Sequence, residues 1–219
     1  MRRFGRRRRN GRAGERLARP NRCSKIVRGR TAGNGGCSKG TAMTRHTLVL
    51  GGARSGKTAF AERLALHAGA RPAYLATANV LDEEMRDRVA SHQASRGVNF
   101  TTIEEPVALS HAILKAGAAH DVILVDCLTL WITNLLMANE DVASAVGELS
   151  ATLMEFRQAK VVLVSNEVGM GIVPDNAMAR TFRDLAGSAH QRLAAICEDV
   201  YFVAAGLTLT MKGEAPELG

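Results

Sequence analysis

The stretch Leu48–Thr58, reading LVLGGARSGKT, constrains this chain more than any other segment. A short apolar run gives way to paired glycines, then Gly56, Lys57 and Thr58 follow after a four-residue gap. That is the spacing of a phosphate-binding loop. Glycines let the backbone turn tightly and aim successive N–H groups at phosphate oxygens beside a helix N-terminus, where negative charge is favoured. Lys57 can then reach the β and γ phosphates, and the Thr58 hydroxyl can ligate Mg²⁺.

The flanking residues give the motif its context. HTLVL before it has the pattern of a buried strand, and AFAERLALHAG after it carries apolar residues at helical spacing and ends in glycine. Strand, loop and helix arrive in the order the motif needs, so Gly51, Gly52, Ala53, Arg54, Ser55, Gly56, Lys57 and Thr58 are read as a nucleotide site rather than an ordinary turn.

Beyond the loop, strand-like and helix-like segments alternate. The apolar run at 72–78 suits a buried strand, 121–131 begins as one, and 160–169 reads as a buried strand running into a polar, glycine-bearing loop. Residues 99–106 alternate like a short strand ending at Pro106. Residues 81–97, 108–119, 132–159 and 176–198 suit helices, the third with a break near Asn139, and 199–213 supply a final strand or two. Near-continuous apolar strands separated by helices predict an α/β fold, a mostly parallel sheet with helices on both faces. Ligands of such sheets gather at the carboxyl ends of the strands. No run approaches the ~20 apolar residues of a membrane span.

Charge divides the chain in two. Residues 1–42 hold 14 of the 29 Lys and Arg and one acid, Glu15, for a balance of +13, whereas the remainder sets 15 basic against 20 acidic residues, or −5. The basic segment has too few apolar residues to build a core and is expected to be disordered and non-catalytic. A nucleic-acid arm, a targeting peptide and a start site assigned upstream of Met43 are the three readings open to it, and the last is preferred. The folded part, 43–219, is acidic and the chain only 4% aromatic, which leaves little for stacking bases, so nucleic acid is not the expected partner. Cys23 and Cys37 lie in the basic segment, and Cys127 and Cys197 in apolar surroundings. None has metal-ligand or CxxC spacing, as for reduced thiols in a cytoplasmic protein.

Two further features sit at predicted strand ends. Asp126 closes VILVD, the form of a strand whose terminal acid holds Mg²⁺ opposite Thr58, although an acid there can also cap the next segment. Ser165, Asn166 and Glu167 end a later strand and are expected to face the same crevice. His92 lies on a partly apolar predicted helix; its pattern alone fits a structural histidine or a nucleophile that carries a nucleotide covalently.

Several segments together, GGARSGKT, YLATANVLDEEMRDRVASHQASRG, IEEP, LVDCLTLWITNLL and VVLVSNEVGMGIVPDNAMARTFRDLAGSAHQRLAA, resemble the bifunctional adenosylcobinamide kinase / adenosylcobinamide-phosphate guanylyltransferase family of cobalamin biosynthesis. The similarity runs from about Thr47 to Lys212 in the family's order, and NEVGMGIVP is far more specific than the phosphate loop. The resemblance implies a RecA-like P-loop domain, a homotrimer, and two reactions. The first phosphorylates adenosylcobinamide with GTP or ATP, and the second moves GMP from GTP onto that phosphate. It also implies that His92 carries the GMP, and that nucleotide contacts fall on Thr77, Ala78, Asn79, Gln93, Ala94, Ser95, Arg96, Glu104 and Asp126. Arg96, four residues beyond His92, shares its helical face and is placed to pair with the transferred phosphate. GTP preference rests on the resemblance alone, since no NKxD guanine-reading motif occurs. Two competing readings stay open: a P-loop small-molecule kinase without nucleotidyl transfer, and a nucleic-acid-binding ATPase.

Overall fold

The computed structural model describes residues 45–78 and 99–216. Twelve elements follow in order: β1 Thr47–Gly51, α1 Lys57–Ala68, β2 Pro72–Ala76, β3 Thr101–Glu104, α2 Leu109–Ala116, β4 Val122–Asp126, α3 Leu128–Met137, α4 Val142–Glu155, β5 Lys160–Asn166, α5 Ala177–Ile196, β6 Asp199–Ala204 and β7 Leu207–Lys212. The predicted helix at 81–97 lies outside the described residues, as do Asn79, His92 and Gln93–Arg96.

The strands form one seven-stranded sheet in the order β3-β2-β4-β5-β1-β6-β7. All pairings are parallel except β6 with β7, an antiparallel hairpin. β5 is interposed between β1, which leads into the phosphate loop, and β4, which ends in Asp126. That is the RecA-like P-loop order, and it places the ends of β1, β5 and β4 side by side.

The apolar strands are continuous because both faces are covered. Leu48, Leu50, Ile123, Val125, Val161 and Leu163 point to a core shared with α2, α3, α4 and α5. Val49, Leu124, Val162 and Val164 alternate to the other face, where they meet Phe60, Ala61, Leu64 and Ala65 of α1. Trp131 and Phe156 fill the first core with almost no exposed surface. Cys127 and Cys197 are free and buried; burial pushes their thiols up to about 11 and about 12, which keeps them protonated and inert.

Local signals set the element ends. Asp141 caps α4 by accepting from the Ala143 and Ser144 amides, and Asn176 caps α5 through Ala179 N. The expected break is real: α3 ends at Met137 and Asn139 turns left-handed at φ 55°, a conformation asparagine tolerates. The β6–β7 turn needs two positive φ values, 51° at Ala205 and 77° at Gly206. Gly206 N then donates to Ser55 O at 2.8 Å, bracing the phosphate loop from the next strand pair.

Candidate functional site

The phosphate loop occupies the gap between the last residue of β1 and the first of α1. Gly56 adopts φ 94°, which an L side chain rarely adopts, and a Cβ there would stand 3.2 Å from Gly206 Cα. Gly51 has no room for a Cβ either, because the Val203 carbonyl and Ser55 Oγ lie against it. Lys57 is largely buried, and its Nζ donates to Gly52 O at 3.1 Å, curling back over its own loop. Arg54 sits at the exposed crest with φ 56°, beside exposed Ala53.

Asp126 does not cap α3: that helix has Cys127 at its N-cap and no side-chain cap bond. Its Oδ2 instead accepts from Thr58 Oγ1 at 3.2 Å and from the Tyr74 hydroxyl at 2.6 Å. Two hard oxygen donors from distant parts of the chain thus meet beside the loop lysine. This donor set fits Mg²⁺, which takes one or two protein oxygens and fills its remaining positions with phosphates and water. Among the described residues no cluster of three or more His, Cys, Asp or Glu is disposed to hold a metal by itself.

The neighbouring strand ends are held together by side chains. Thr77 Oγ1 both donates to Cys127 O and accepts from Cys127 N, each at 2.8 Å, locking the end of β2 to the residue after Asp126. Asn134 of α3 donates to Thr77 O at 2.7 Å and to Pro106 O at 2.9 Å. Asn166 reaches Thr129 Oγ1 at 3.0 Å. Ala78 is half-buried just beyond Thr77. Glu104 ends β3 opposite Ala76, so it stays within reach of Thr77 but not of the loop. Four strand steps separate β3 from β1, about 19 Å at ordinary sheet spacing.

One expectation needs correcting. Ser165 does not face the crevice: it is fully buried, and its hydroxyl pairs with His190 Nε2 at 2.7 Å. The strand period explains this, since Ser165 shares parity with Val161 and Leu163, which point toward α5. Glu167, one residue beyond the strand, turns back toward the loop, and its amide donates to Gly51 O at 3.0 Å. Tyr74, Asn134, Gly206 and His190 had no sequence signature. Each earns its place only by touching a motif residue across the sheet.

A parallel sheet with a glycine-rich loop between β1 and α1, a buried loop lysine, and a threonine–aspartate pair beside it define a P-loop nucleotide-binding protein. The family model described as cobinamide kinase / cobinamide phosphate guanyltransferase matches residues 47–211. The chain belongs to that family. The bifunctional adenosylcobalamin biosynthesis protein CobP of Pseudomonas aeruginosa is 46% identical over 169 residues, covering 76% of this chain and 97% of that protein. The bifunctional adenosylcobalamin biosynthesis proteins CobU of Salmonella typhimurium and Escherichia coli are 42% and 37% identical over 179 residues, each covering 75% of this chain and 98% of the relative. Among solved structures, the RadB recombinase aligns over 74% of each chain at 16% identity with a TM-score of 0.41.

Proposed function

We propose that this protein phosphorylates the side-chain hydroxyl of adenosylcobinamide, then transfers GMP from GTP to the new phosphate through a guanylyl group on His92, giving adenosylcobinamide-GDP. The observation that carries the reading is the meeting of Thr58 and Asp126 at 3.2 Å beside the Lys57 loop, in a chain of this family. The triphosphate lies on the Gly51–Thr58 backbone, with Lys57 against its charge. Thr58 and Asp126 hold Mg²⁺, which when bound neutralises charge on the phosphate oxygens.

The two reactions ask different things of one cradle. In the first, the γ-phosphoryl group leaves the nucleotide and the loop retains the diphosphate. In the second, the neutral imidazole of His92 attacks the α phosphorus, the bond to the β oxygen breaks, and the loop stabilises departing pyrophosphate. The corrinoid phosphate then displaces His92. Thr77, Ala78, Asn79, Gln93, Ala94, Ser95, Arg96 and Glu104 make the nucleotide contacts, with Arg96 on the transferred phosphate. GTP serves the second step by necessity and is our choice over ATP for the first. We further assign a homotrimer working in the cytoplasm, and place residues 1–42 outside the catalytic unit.

The test uses GTP labelled at the α phosphate. After denaturation, wild-type chain should carry acid-labile label that is absent from His92→Ala. A folded, GTP-binding wild type without label would leave only the kinase half of the reading.

A further inference from the structure

Glu167 stands out among the acidic groups at the carboxyl end of the sheet. Its backbone is tied to the last residue of β1 through Glu167 N to Gly51 O at 3.0 Å, so its side chain starts beside the phosphate loop. The carboxylate is hydrogen-bonded on one oxygen and flanked by an imidazole on the other. Oε1 accepts from Gly169 N, and Oε2 lies 3.6 Å from His190 Nδ1. His190 is in turn gripped by Ser165 Oγ at 2.7 Å from Nε2. Ser165 is fully buried and the His190 side chain only 7% exposed, while Glu167 retains 19% of its side-chain surface. A buried Ser–His pair therefore ends in a carboxylate that opens to solvent.

His190 Nδ1 is buried with no hydrogen-bond partner, and Glu167 Oε2 lies 3.6 Å from it. With the Ser165 hydroxyl donating to Nε2, Nδ1 carries the proton and points its dipole at the carboxylate. Burial lowers the His190 pKa, against the opposing pull of Glu167, so the ring stays neutral. This arrangement orients a carboxylate without neutralising it.

Three other acids near this end of the sheet, among the described residues, are committed or distant. Asp126 Oδ2 takes two hydroxyl donors and is assigned to the metal. Glu105 Oε1 accepts from the Val107 and Ala108 amides ahead of α2. Glu104 lies four strand steps from β1. A carboxylate has about four acceptor sites, so Glu167 keeps capacity for a substrate hydroxyl.

We propose that Glu167 is the general base of the phosphorylation half-reaction, with His190 and Ser165 as its positioning residues. This rests on the reading that the protein is a corrinoid kinase. As the substrate oxygen bonds to the γ-phosphorus, the bond from phosphorus to the β,γ-bridging oxygen breaks and the nucleoside diphosphate leaves. The hydroxyl proton passes to the Glu167 carboxylate and from there to solvent. The guanylyl steps use His92 and a substrate phosphate that is already ionised, so they do not call on Glu167.

The two half-reactions can be measured separately on the full chain, one with adenosylcobinamide and GTP, the other with preformed adenosylcobinamide phosphate and GTP. Glu167→Gln should lower kcat of phosphorylation by about 10²-fold or more, with KM for the corrinoid within about threefold and guanylyl transfer far less affected. Glu167→Asp should recover part of the loss, and added formate should raise the phosphorylation rate of Glu167→Ala. His190→Gln should lower the same kcat by about tenfold without becoming sensitive to formate. Wild-type phosphorylation by Glu167→Gln overturns the proposal, as does equal loss in both half-reactions or no response to formate. A wild-type chain that phosphorylates no corrinoid yet takes GMP from GTP overturns the kinase reading itself, and is distinguished from the other outcomes by needing no variant.

Discussion

Thr58 and Asp126 are 68 residues apart in sequence, yet the threonine hydroxyl donates to the aspartate carboxylate across 3.2 Å. Two strand pairings, β1 with β5 and β5 with β4, bring them together. Tyr74 donates to the same oxygen at 2.6 Å, so the carboxylate enters the site already oriented.

The first prediction concerns this pair. Asp126→Asn keeps an acceptor for Tyr74 but removes the charge that suits a divalent cation. Both half-reactions should slow by about 10²-fold or more, and half-maximal activity should need a higher Mg²⁺ concentration. A Mg²⁺ titration of each half-reaction checks this, and an unchanged titration midpoint would remove Asp126 from the metal site.

Gly51→Ala tests the loop's packing. A Cβ there would run into the Val203 carbonyl and lie 2.7 Å from Ser55 Oγ. The backbone atom cannot swing away, so the loop or β6 must shift. We expect a loss of about 1–3 kcal/mol in denaturant unfolding, as for other overpacked sites, together with weaker GTP binding in equilibrium titration. Stability and affinity both at wild-type level would mean that the β1–β6 contact is looser than it stands.

Asn134→Ala should act at a distance from the phosphates. Its amide serves two carbonyls at once, Thr77 O at the end of β2 and Pro106 O after β3. Leaving them unpaired should cost about 2 kcal/mol. It should also free the two strand ends that flank the proposed nucleotide contacts. The expected kinetic result is a raised KM for GTP with kcat changed little, read from initial rates. A change confined to kcat would contradict a positioning role.

Stability should depend on two buried imidazoles. Val161 N donates to His46 Nδ1 at 3.2 Å while Nε2 lies 3.1 Å from Leu153 O, which fixes His46 as a neutral ring with its proton on Nε2. Burial lowers the pKa of both His46 and His190 in the folded state. The unfolded chain binds protons near the ordinary imidazole value of about 6.5 that the folded chain refuses. Stability is therefore intact above that value and declines as pH falls below it, by at most about 1.4 kcal/mol per histidine for each pH unit. Thermal midpoints should drop between pH 7.5 and 5.5, and drop less in His190→Gln. Equal midpoints across that range would contradict the burial.

Much of the molecule was legible before its structure. The loop Gly51–Thr58 could be read because a phosphate cradle is built from consecutive residues, so its requirements appear as local spacing. Buried parallel strands such as Val161–Val164 announce themselves by unbroken apolar runs, and the break at Asn139 by a residue that tolerates positive φ. Caps at Asp141 and Asn176 are likewise short-range. These features depend on backbone geometry within a few residues, which the amino-acid order dictates directly.

What the order of residues left open depends on which strands become neighbours. Nothing in PAYLA marks Tyr74 as the donor to Asp126, because that bond exists only once β2 pairs with β4. A strand-end position predicts Ser165 at the crevice, whereas side-chain alternation against α5 turns it inward to His190. Glu167 acquires its place beside Gly51 only because β5 pairs with β1. Chain entropy makes each such contact costly to form alone. They are settled together when the two cores close, and so belong to the tertiary structure rather than to any stretch of sequence.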